Sequence, residues 1–261
     1  MKILRAMVWD TTELKTKVAT SKLISSMINP NCNENSQPTT PPTIRESISK
    51  EELSKFPSEK YQGRIIVIQS KNEAQKACDY LCNIGETDVI GFDTETRPSF
   101  KKGHTYSISL VQLCTKDTCF LFRTMDKSMW DYIKPILEDE RTMKIGLSLK
   151  DDFNGVKKAT KGEIVINPKN FIELQSYVKS FGIKDCGLSR IYANLFEKKI
   201  SKKMRLSNWE EPFLSEAQKE YAALDAYATR RIYVELENRK KSSLSSTDNG
   251  QHNPNEGNSI I

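Results

Sequence analysis

The pattern of apolar and polar positions predicts strands between residues 64 and 149. Short apolar runs that are bounded by turn residues and rich in β-branched and aromatic side chains are typical of strands. A short turn joins the third run to the fourth, and the second, third and fourth runs together indicate an antiparallel meander. The predicted strands cover residues 64–69, 89–94, 106–114, 119–122 and 143–149.

Apolar positions at helical spacing become frequent later in the chain. The predicted helices cover residues 73–81, 129–137, 152–158, 172–181, 188–196 and 216 to about 237. Ser215 precedes the last of them, and Gln218 follows three residues later, which matches a capping box. Strands first, then mixed elements and then helices predict an α/β layered domain, with a mixed central sheet flanked by helices.

The two ends of the chain have a different composition. Residues 29–43 are dominated by Asn, Pro, Thr and Ser, and residues 238–261 are almost entirely polar. Such segments cannot bury enough apolar surface to offset the entropy lost on ordering. We therefore expect a disordered extension and linker over residues 1–43, one folded domain over residues 44–237, and a disordered tail after it.

Composition narrows the class of protein. No stretch of the 261 residues approaches the ~20 apolar residues of a membrane helix. The apolar start of the chain is interrupted by Arg5 and Asp10, unlike a secretory signal. The six cysteines form no CxxC pair, so they are expected to be reduced thiols. These features predict a cytoplasmic protein that does not bind a membrane.

Charge and histidine content narrow the chemistry. Two histidines are too few for His-rich metal sites and argue against a Ser-His-Asp triad, so hydrolytic chemistry would have to use carboxylates. The net charge of +6 is compatible with an anionic partner such as nucleic acid.

A pair of acidic residues extends directly from the apolar run VIGF. Asp93 and Glu95 are two residues apart in a predicted strand, so their side chains project from the same face. Carboxylates that are buried side by side repel each other and lose hydration, so they need a compensating cation. The alternative is that the strand end simply reaches solvent.

Another pair of acidic residues opens a predicted helix. Asp151 and Asp152 follow the strand that ends at about residue 149. Either could be a functional carboxylate at the sheet edge. The alternative is helix capping, because the helix dipole favours acidic residues there.

The last predicted helix carries a tyrosine and an aspartate on one face. Tyr221 and Asp225 are four residues apart, and small residues at 222, 223 and 226 would let this face approach a neighbouring backbone. The alternative is a core tyrosine hydrogen-bonded to an aspartate.

Taken together, these three motifs resemble the DEDD superfamily of 3′→5′ exonucleases, in its tyrosine branch (DEDDy). The segments FGIKDCGLSRIYANLF, RLSNWE and QKEYAALDAYATRRIY are also similar to ribonuclease D and Werner-type exonuclease domains, and to the exonucleases of Bacteroidetes. Asp151 is the alternative for the second motif. The residues that match are Asp93 and Glu95 for the first motif, Asp152 for the second, and Tyr221 with Asp225 for the third.

The resemblance implies a ribonuclease H-like (DnaQ-like exonuclease) fold over about residues 44–237 and two divalent ions, Mg²⁺ or Mn²⁺, as cofactors. In the family, the residue matching Asp93 bridges both ions. Those matching Glu95 and Asp225 hold the ion with the attacking water, and the one matching Asp152 holds the other ion. Tyr221 would then orient the attacking water.

Two groups of residues are candidates for substrate binding. Thr96, Arg97 and Phe100 follow the first motif, where the family places the terminal nucleotide, and His104 in the same loop is either a surface residue or a phosphate contact. The basic run at 196–209 could track phosphates or form a solvated face. Its candidate contacts are Lys202, Lys203 and Arg205.

Three further positions leave alternatives open. Trp209 could stack on a base or pack in the core. Glu173 stands where many relatives have Asp, and it could begin a helix or support the metal ligands. Glu211 stands where the family often has Arg, so a basic contact to the substrate is missing there.

The sequence therefore predicts a 3′-5′ exonuclease whose partner is nucleic acid, with no protein partner identified. Single-stranded or 3′-recessed DNA is favoured, because no helical RNA-binding domain follows residue 237, while RNA remains possible. The alternatives are ribonuclease D-like processing of RNA 3′ ends and a non-catalytic nucleic-acid-binding module.

Overall fold

A computed structural model describes residues 42–248. Predictions for residues 1–41 and 249–261, including most of the expected linker, lie outside the described residues. None of the helices between residues 42 and 248 has both the length and the apolar character needed to span a membrane.

The described residues form a six-stranded mixed sheet. Its strands are β1 (Arg64–Ile68), β2 (Val89–Thr96), β3 (Ile108–Cys114), β4 (Thr118–Arg123), β5 (Met143–Gly146) and β6 (Phe171–Glu173). They lie in the order β1-β4-β3-β2-β5-β6. Strands β2, β3 and β4 pair antiparallel, which confirms the predicted meander, while β1 with β4, β2 with β5, and β5 with β6 pair parallel.

Helices cover both faces of the sheet, as the α/β prediction requires. The helices are α1 (Lys50–Lys55), α2 (Lys71–Ile84), α3 (Trp130–Glu138), α4 (Leu149–Ala159), α5 (Leu174–Lys179), α6 (Leu188–Phe196) and α7 (Glu216–Asp248). One face of the sheet packs against α2, α3 and α4, and the other against α5, α6 and α7.

Two element predictions were wrong in part. The apolar run at 143–149 was predicted as one strand, but the strand ends at Gly146 and Leu149 begins α4 after Ser148, which has a φ of 66°. The run at 172–181 was predicted as a helix, but its start is β6. Short apolar runs suit a buried strand or a buried helix equally well, so pairing with β5 decides the outcome.

The predicted end of the last helix was also wrong. The chain was expected to lose order after residue 237, but α7 continues to Asp248. Extending an existing helix is much less costly than starting one, and residues 238–248 contain neither Gly nor Pro. Arg239 adds contacts, since it pairs with Glu235 at 2.7 Å and donates to the Pro42 carbonyl at 2.7 Å.

The start of α7 is capped as predicted. The Ser215 hydroxyl accepts from the Gln218 backbone N–H at 3.2 Å, and the Gln218 side chain accepts from the Ser215 N–H at 3.0 Å. This capping box fixes the position where the helix begins.

A glycine allows α7 to lie directly against β2. A Cβ atom at Gly91 would lie 1.9 Å from the carbonyl oxygen of Ala226 and 3.0 Å from the Thr229 hydroxyl. The small, fully buried Ala222 and Ala226 contribute the helix side of this contact. The close approach brings the middle of α7 beside the acidic end of β2.

Gly91→Ala is expected to destabilise the protein and to reduce its activity. The added methyl group must push α7 outward, and such overpacking costs about 1–3 kcal/mol. Thermal unfolding and turnover measure the two effects. Gly187→Ala is the control, because nothing lies within 4 Å of a Cβ there. Equal behaviour of the two variants would contradict the close contact.

Candidate active site

Three of the predicted acidic residues converge where β2 meets α7. Asp93 and Glu95 project from the same face of β2, and Asp225 comes from α7, nine residues after the helix begins at Glu216. Carboxylate oxygens of the three residues lie within 4.8 Å of one another. The side chains of Glu95 and Asp225 are buried.

Asp152 lies on α4, which packs on the opposite face of the sheet, and its charge acts on Asp93 and Glu95 although it is not one of the three residues within 4.8 Å. It accepts a hydrogen bond from the Thr94 hydroxyl, whose strand position points away from Asp93. Asp152 is half-buried, whereas Asp151 is exposed. Of the two alternatives for the second motif, the structure brings Asp152 to the other carboxylates.

Burial raises the pKa values of all four carboxyl groups, and the charges of other members of the set add to the rise for Asp93 and Glu95. Burial, followed by the charges of the other three carboxylates, raises the pKa of Asp93 well above its usual value. Burial and then the charges of Asp225 and Asp152 raise the pKa of Glu95 to about 9. Burial raises the pKa of Asp152 to about 6 and that of Asp225 to about 7. Protons or cations that neutralise these carboxylates are therefore favoured at this cluster.

Two residues of the basic run face this cluster. Lys202 and Arg205 line a pocket of about 240 Å³ together with Asp93 and Asp225. Lys202 acts to lower the pKa of Asp225, and Arg205 acts to lower that of Glu95, without overcoming burial.

Other members of the basic run point elsewhere. Lys203 lines a neighbouring depression and not the carboxylate pocket. Lys198 pairs with Glu59 at 3.1 Å, and Lys199 donates to the Ser54 carbonyl at 2.7 Å. Some side chains of the basic run therefore make structural contacts, whereas others line the pockets.

Tyr221 lies on the edge of the carboxylate pocket and is half-buried. Burial, then the nearby charges of Asp225 and Glu95, raises its pKa above the usual value. Its ring centroid lies 6.0 Å from that of Trp209, which is fully buried. Trp209 thus belongs to the core, and its alternative role of stacking on a base is excluded by burial.

Arg97 and Phe100 line a second pocket, of about 390 Å³, next to the end of β2. Arg97 pairs with Glu210 at 3.1 Å and lies over the Tyr106 ring at 4.7 Å. Phe100 is 88% exposed. This pocket therefore combines an anchored cation with a free aromatic ring.

The surroundings of the other residues singled out in the sequence, Thr96, His104 and Glu211, differ from one another. Thr96 is half-buried and ends β2 beyond a bulge that follows Glu95. His104 is exposed at the rim of the second pocket. The backbone carbonyl of Glu211, where a basic contact was expected to be missing, accepts a hydrogen bond from the buried Arg123.

Glu173 begins one helix and also caps another. Its carboxylate accepts from the Gln175 N–H at 3.1 Å in its own helix, α5. It also accepts from the N–H groups of Ser148 at 3.1 Å and Leu149 at 2.8 Å, at the start of α4. Since α4 carries Asp152, this contact helps to fix a member of the carboxylate cluster.

Glu173→Gln is expected to lower stability by about 1 kcal/mol, the usual effect of losing a helix cap, which is about 2–4 °C in Tm. Activity should fall less than on loss of a cluster carboxylate. Glu163→Gln is the control because Glu163 lies on the surface with only a 3.9 Å ion pair. Unfolding and turnover of both variants test this, and an unchanged Tm for Glu173→Gln would refute the double cap.

Sequence reasoning missed two residues beside the cluster. Thr94 holds Asp152, and its place between Asp93 and Glu95 was the available indication. Gln112 on β3 stands directly opposite Asp93, is fully buried, and has no partner for its amide among the described residues. A polar residue inside the apolar run at 106–114 was its only indication.

Comparison with known proteins agrees with this geometry. Residues 65–241 match the family described as 3′-5′ exonuclease. A 3′-5′ exonuclease of Arabidopsis thaliana is 28% identical over 203 residues, which are 74% of this chain and 70% of the relative. The bifunctional 3′-5′ exonuclease/ATP-dependent helicase WRN of Mus musculus is 30% identical over 166 residues, 61% of this chain but only 12% of that protein.

Solved structures share the fold. The EXO domain of Nibbler from Aedes aegypti superposes with a TM-score of 0.62 at 22% identity, covering 71% of this chain and 94% of that one. RNase D of Escherichia coli gives a TM-score of 0.55 at 21% identity, covering 67% and 45%. Since the family match spans all three acidic motifs, the chain belongs to the DEDDy-type 3′-5′ exonucleases, nucleases with a ribonuclease H-like fold.

Proposed function

We propose that Asp93, Glu95, Asp152 and Asp225 hold two divalent metal ions, Mg²⁺ or Mn²⁺, and that this centre hydrolyses the phosphodiester bond at the 3′ end of a nucleic acid strand. The observation that carries the proposal is the convergence of three carboxylates within 4.8 Å, two of them buried. A fourth lies close enough to raise the pKa of Asp93.

The donor set fits hard divalent cations. All four groups offer oxygen atoms, which Mg²⁺ and Mn²⁺ prefer over nitrogen or sulfur. Lys202 and Arg205 supply positive charge nearby but leave the pKa values of the cluster raised. When bound, a pair of such ions stabilises charge on the attacking and leaving oxygens of a displacement at phosphorus.

The protein's own residues bind and orient the reactants. Tyr221 stays protonated at neutral pH because its pKa is raised, so its hydroxyl orients the attacking water and does not act as a base. Lys202 and Arg205 bind the phosphate to be cleaved from the open side of the pocket. Arg97 and Phe100 border the space for the terminal nucleotide, as the resemblance implies.

Tyr221→Phe is expected to slow single-turnover cleavage by about 10- to 100-fold, because a misplaced reactant can cost about 100-fold. Metal binding and substrate KM should change little. Tyr233→Phe, on the same helix and also half-buried, serves as the control. Cleavage at the wild-type rate would support the alternative, a core tyrosine hydrogen-bonded to Asp225.

We propose single-stranded or 3′-recessed DNA as the preferred substrate. Support comes from the sequence relatives at 28–30% identity, one of which carries a helicase. A solved structure of Trypanosoma brucei RNase D contains RNA U12, but at 16% identity it supports only the fold. RNA 3′-end processing is therefore the second candidate.

The test uses 5′-labelled single-stranded DNA, 3′-recessed duplex DNA and RNA of matched sequence, each with Mg²⁺, Mn²⁺ or EDTA. A metal-dependent ladder that shortens from the 3′ end supports the proposal, and the relative rates identify the preferred substrate. Binding without a ladder under every condition would favour a non-catalytic module.

We also propose a cytoplasmic location. The five cysteines in the described residues are free thiols, as expected in a reducing compartment. Thiol titration of protein isolated under alkylating conditions tests this, and an oxidised pair would contradict it.

A further inference from the structure

A groove leads away from the carboxylate pocket past Tyr221. The pocket that holds Asp93 shares Tyr221 with a depression of about 270 Å³, lined also by Lys203 and Glu220. That depression shares Glu59 and Lys60 with a further one of about 340 Å³. We call these two outer depressions the lysine groove, after their exposed lysines Lys60, Lys116 and Lys203.

The lysine groove has an excess of positive charge. Its side chains include five cations, namely the three exposed lysines with Lys198 and Arg231, against the three acids Glu59, Glu220 and Asp117, which gives 5 − 3 = +2. The ion pairs among residues 42–248 leave the ammonium groups of Lys60, Lys116 and Lys203 without an acidic partner.

The most buried acid of the groove is already neutralised. Glu59 accepts from Lys198 at 3.1 Å, Arg231 at 2.7 Å and the Tyr192 hydroxyl at 2.8 Å. It therefore does not repel an anion that lies over it. The positive charge that remains available to a ligand is that of the exposed lysines. This arrangement suits a ligand that carries several negative charges in a row.

The lysine groove and the pocket of Arg97 and Phe100 can be assigned to the two sides of the cleaved phosphate, and this step rests on the proposed function. Removal of the 3′-terminal nucleotide leaves one nucleotide on one side of the cleaved phosphate and the rest of the strand on the other. The pocket lined by Arg97 and Phe100 borders the end of β2 and suits the terminal nucleotide. The lysine groove opens from the carboxylate pocket past Tyr221.

We infer that the lysine groove binds the sugar–phosphate backbone of the strand that lies 5′ to the nucleotide being removed. The contacts are between lysine ammonium groups and phosphates, so they do not depend on base sequence. They give longer strands a higher affinity than a dinucleotide, which ends before it reaches the outer depressions.

The test compares the double variant Lys60→Gln, Lys116→Gln with the control Lys76→Gln, Lys179→Gln, which removes the same charge from exposed lysines elsewhere. The substrates are a dinucleotide and a long single-stranded oligonucleotide. Both lysines of the first variant are exposed and far from the acidic motifs in sequence, so hydrolysis of the dinucleotide should be unchanged.

For the long oligonucleotide, KM is expected to rise about tenfold or more in the groove variant alone. Binding measured by fluorescence polarisation in EDTA should weaken likewise, and the slope of log K against log salt should fall by about 1.4, or about 0.7 for each lost phosphate contact. Equal KM, affinity and salt slope in the two double variants would overturn the inference.

The two proposals fail in different ways. If the wild type cuts neither substrate, the proposed activity is wrong, while the polarisation measurement still decides whether the groove binds the strand. If the wild type cuts both substrates and the groove variant keeps full affinity for the long one, only the groove assignment is wrong.

Discussion

Asp93→Asn is expected to abolish nuclease activity and, at the same time, to stabilise the metal-free protein. The carboxylate of Asp93 is part of the three-residue cluster, so its loss removes a metal ligand. Metal ions contribute several kcal/mol to such displacements, so a loss of about 4 kcal/mol corresponds to a rate about 1,000-fold lower.

The gain in stability follows from the same geometry. Burial, and then the charges of Asp225, Asp152 and Glu95, raise the pKa of Asp93, so its charged form is disfavoured in the folded protein. Removing that charge should raise Tm in EDTA at pH 8 by a few degrees, since 1 kcal/mol corresponds to about 2–4 °C in a domain of this size. Opposite changes of activity and stability are expected of a residue kept for function.

Asp151→Asn and Asp152→Asn provide the matched comparison. Asp151 is exposed and Asp152 is half-buried beside Thr94, although the two are adjacent in sequence. Asp152→Asn should behave like Asp93→Asn, whereas Asp151→Asn should retain most activity and leave Tm unchanged. Turnover with metal ions and thermal unfolding in EDTA distinguish the two variants. A larger loss of activity in Asp151→Asn than in Asp152→Asn would assign the second motif to Asp151.

The metal-free protein is expected to lose stability as pH rises from about 5 to 9, and divalent ions should remove this loss. The folded pKa values of Glu95 (about 9), Asp225 (about 7) and Asp152 (about 6) lie above the usual values of 4.5 and 3.8. The folded state therefore binds more protons than the unfolded chain. Its stabilisation is complete below the unfolded pKa values and is lost as pH rises through the folded ones.

Bound metal ions replace the protons and remove this loss. Ions at 100-fold excess over their Kd add about 2.7 kcal/mol to the free energy of unfolding, which is about 5–10 °C in Tm. Melting curves across this pH range, with EDTA or with Mn²⁺, measure both effects. A metal-free Tm that rises with pH, or a Tm that Mn²⁺ leaves unchanged at pH 8, would contradict the repelling cluster.

The sequence predicts the parts of the molecule that local patterns determine. The strand containing Asp93 and Glu95 and the capping box at Ser215 depend on neighbours along the chain, and both appear as predicted. The small alanines of α7 also indicated a close helix contact, although its partner, Gly91, could only be identified in three dimensions.

The sequence could not predict features that depend on distant partners. Strand β6 forms because residues 171–173 pair with β5, and Glu173 caps a helix that begins 24 residues earlier. Lys202 and Lys203 are adjacent in sequence but line different depressions. Which depression each lysine lines is determined by the path of the backbone between α6 and α7, which the sequence pattern does not show.

The most direct test of the metal centre replaces one non-bridging oxygen of the 3′-terminal phosphodiester with sulfur, with each diastereomer examined separately in single-turnover cleavage. Mg²⁺ binds sulfur poorly and Mn²⁺ accepts it better. For one diastereomer we predict cleavage at least about 100-fold slower in Mg²⁺, equivalent to a few kcal/mol, and substantial recovery in Mn²⁺. Equal rates for sulfur and oxygen substrates in both metals would show that no metal ion contacts the cleaved phosphate, and would contradict the proposed role of the four carboxylates.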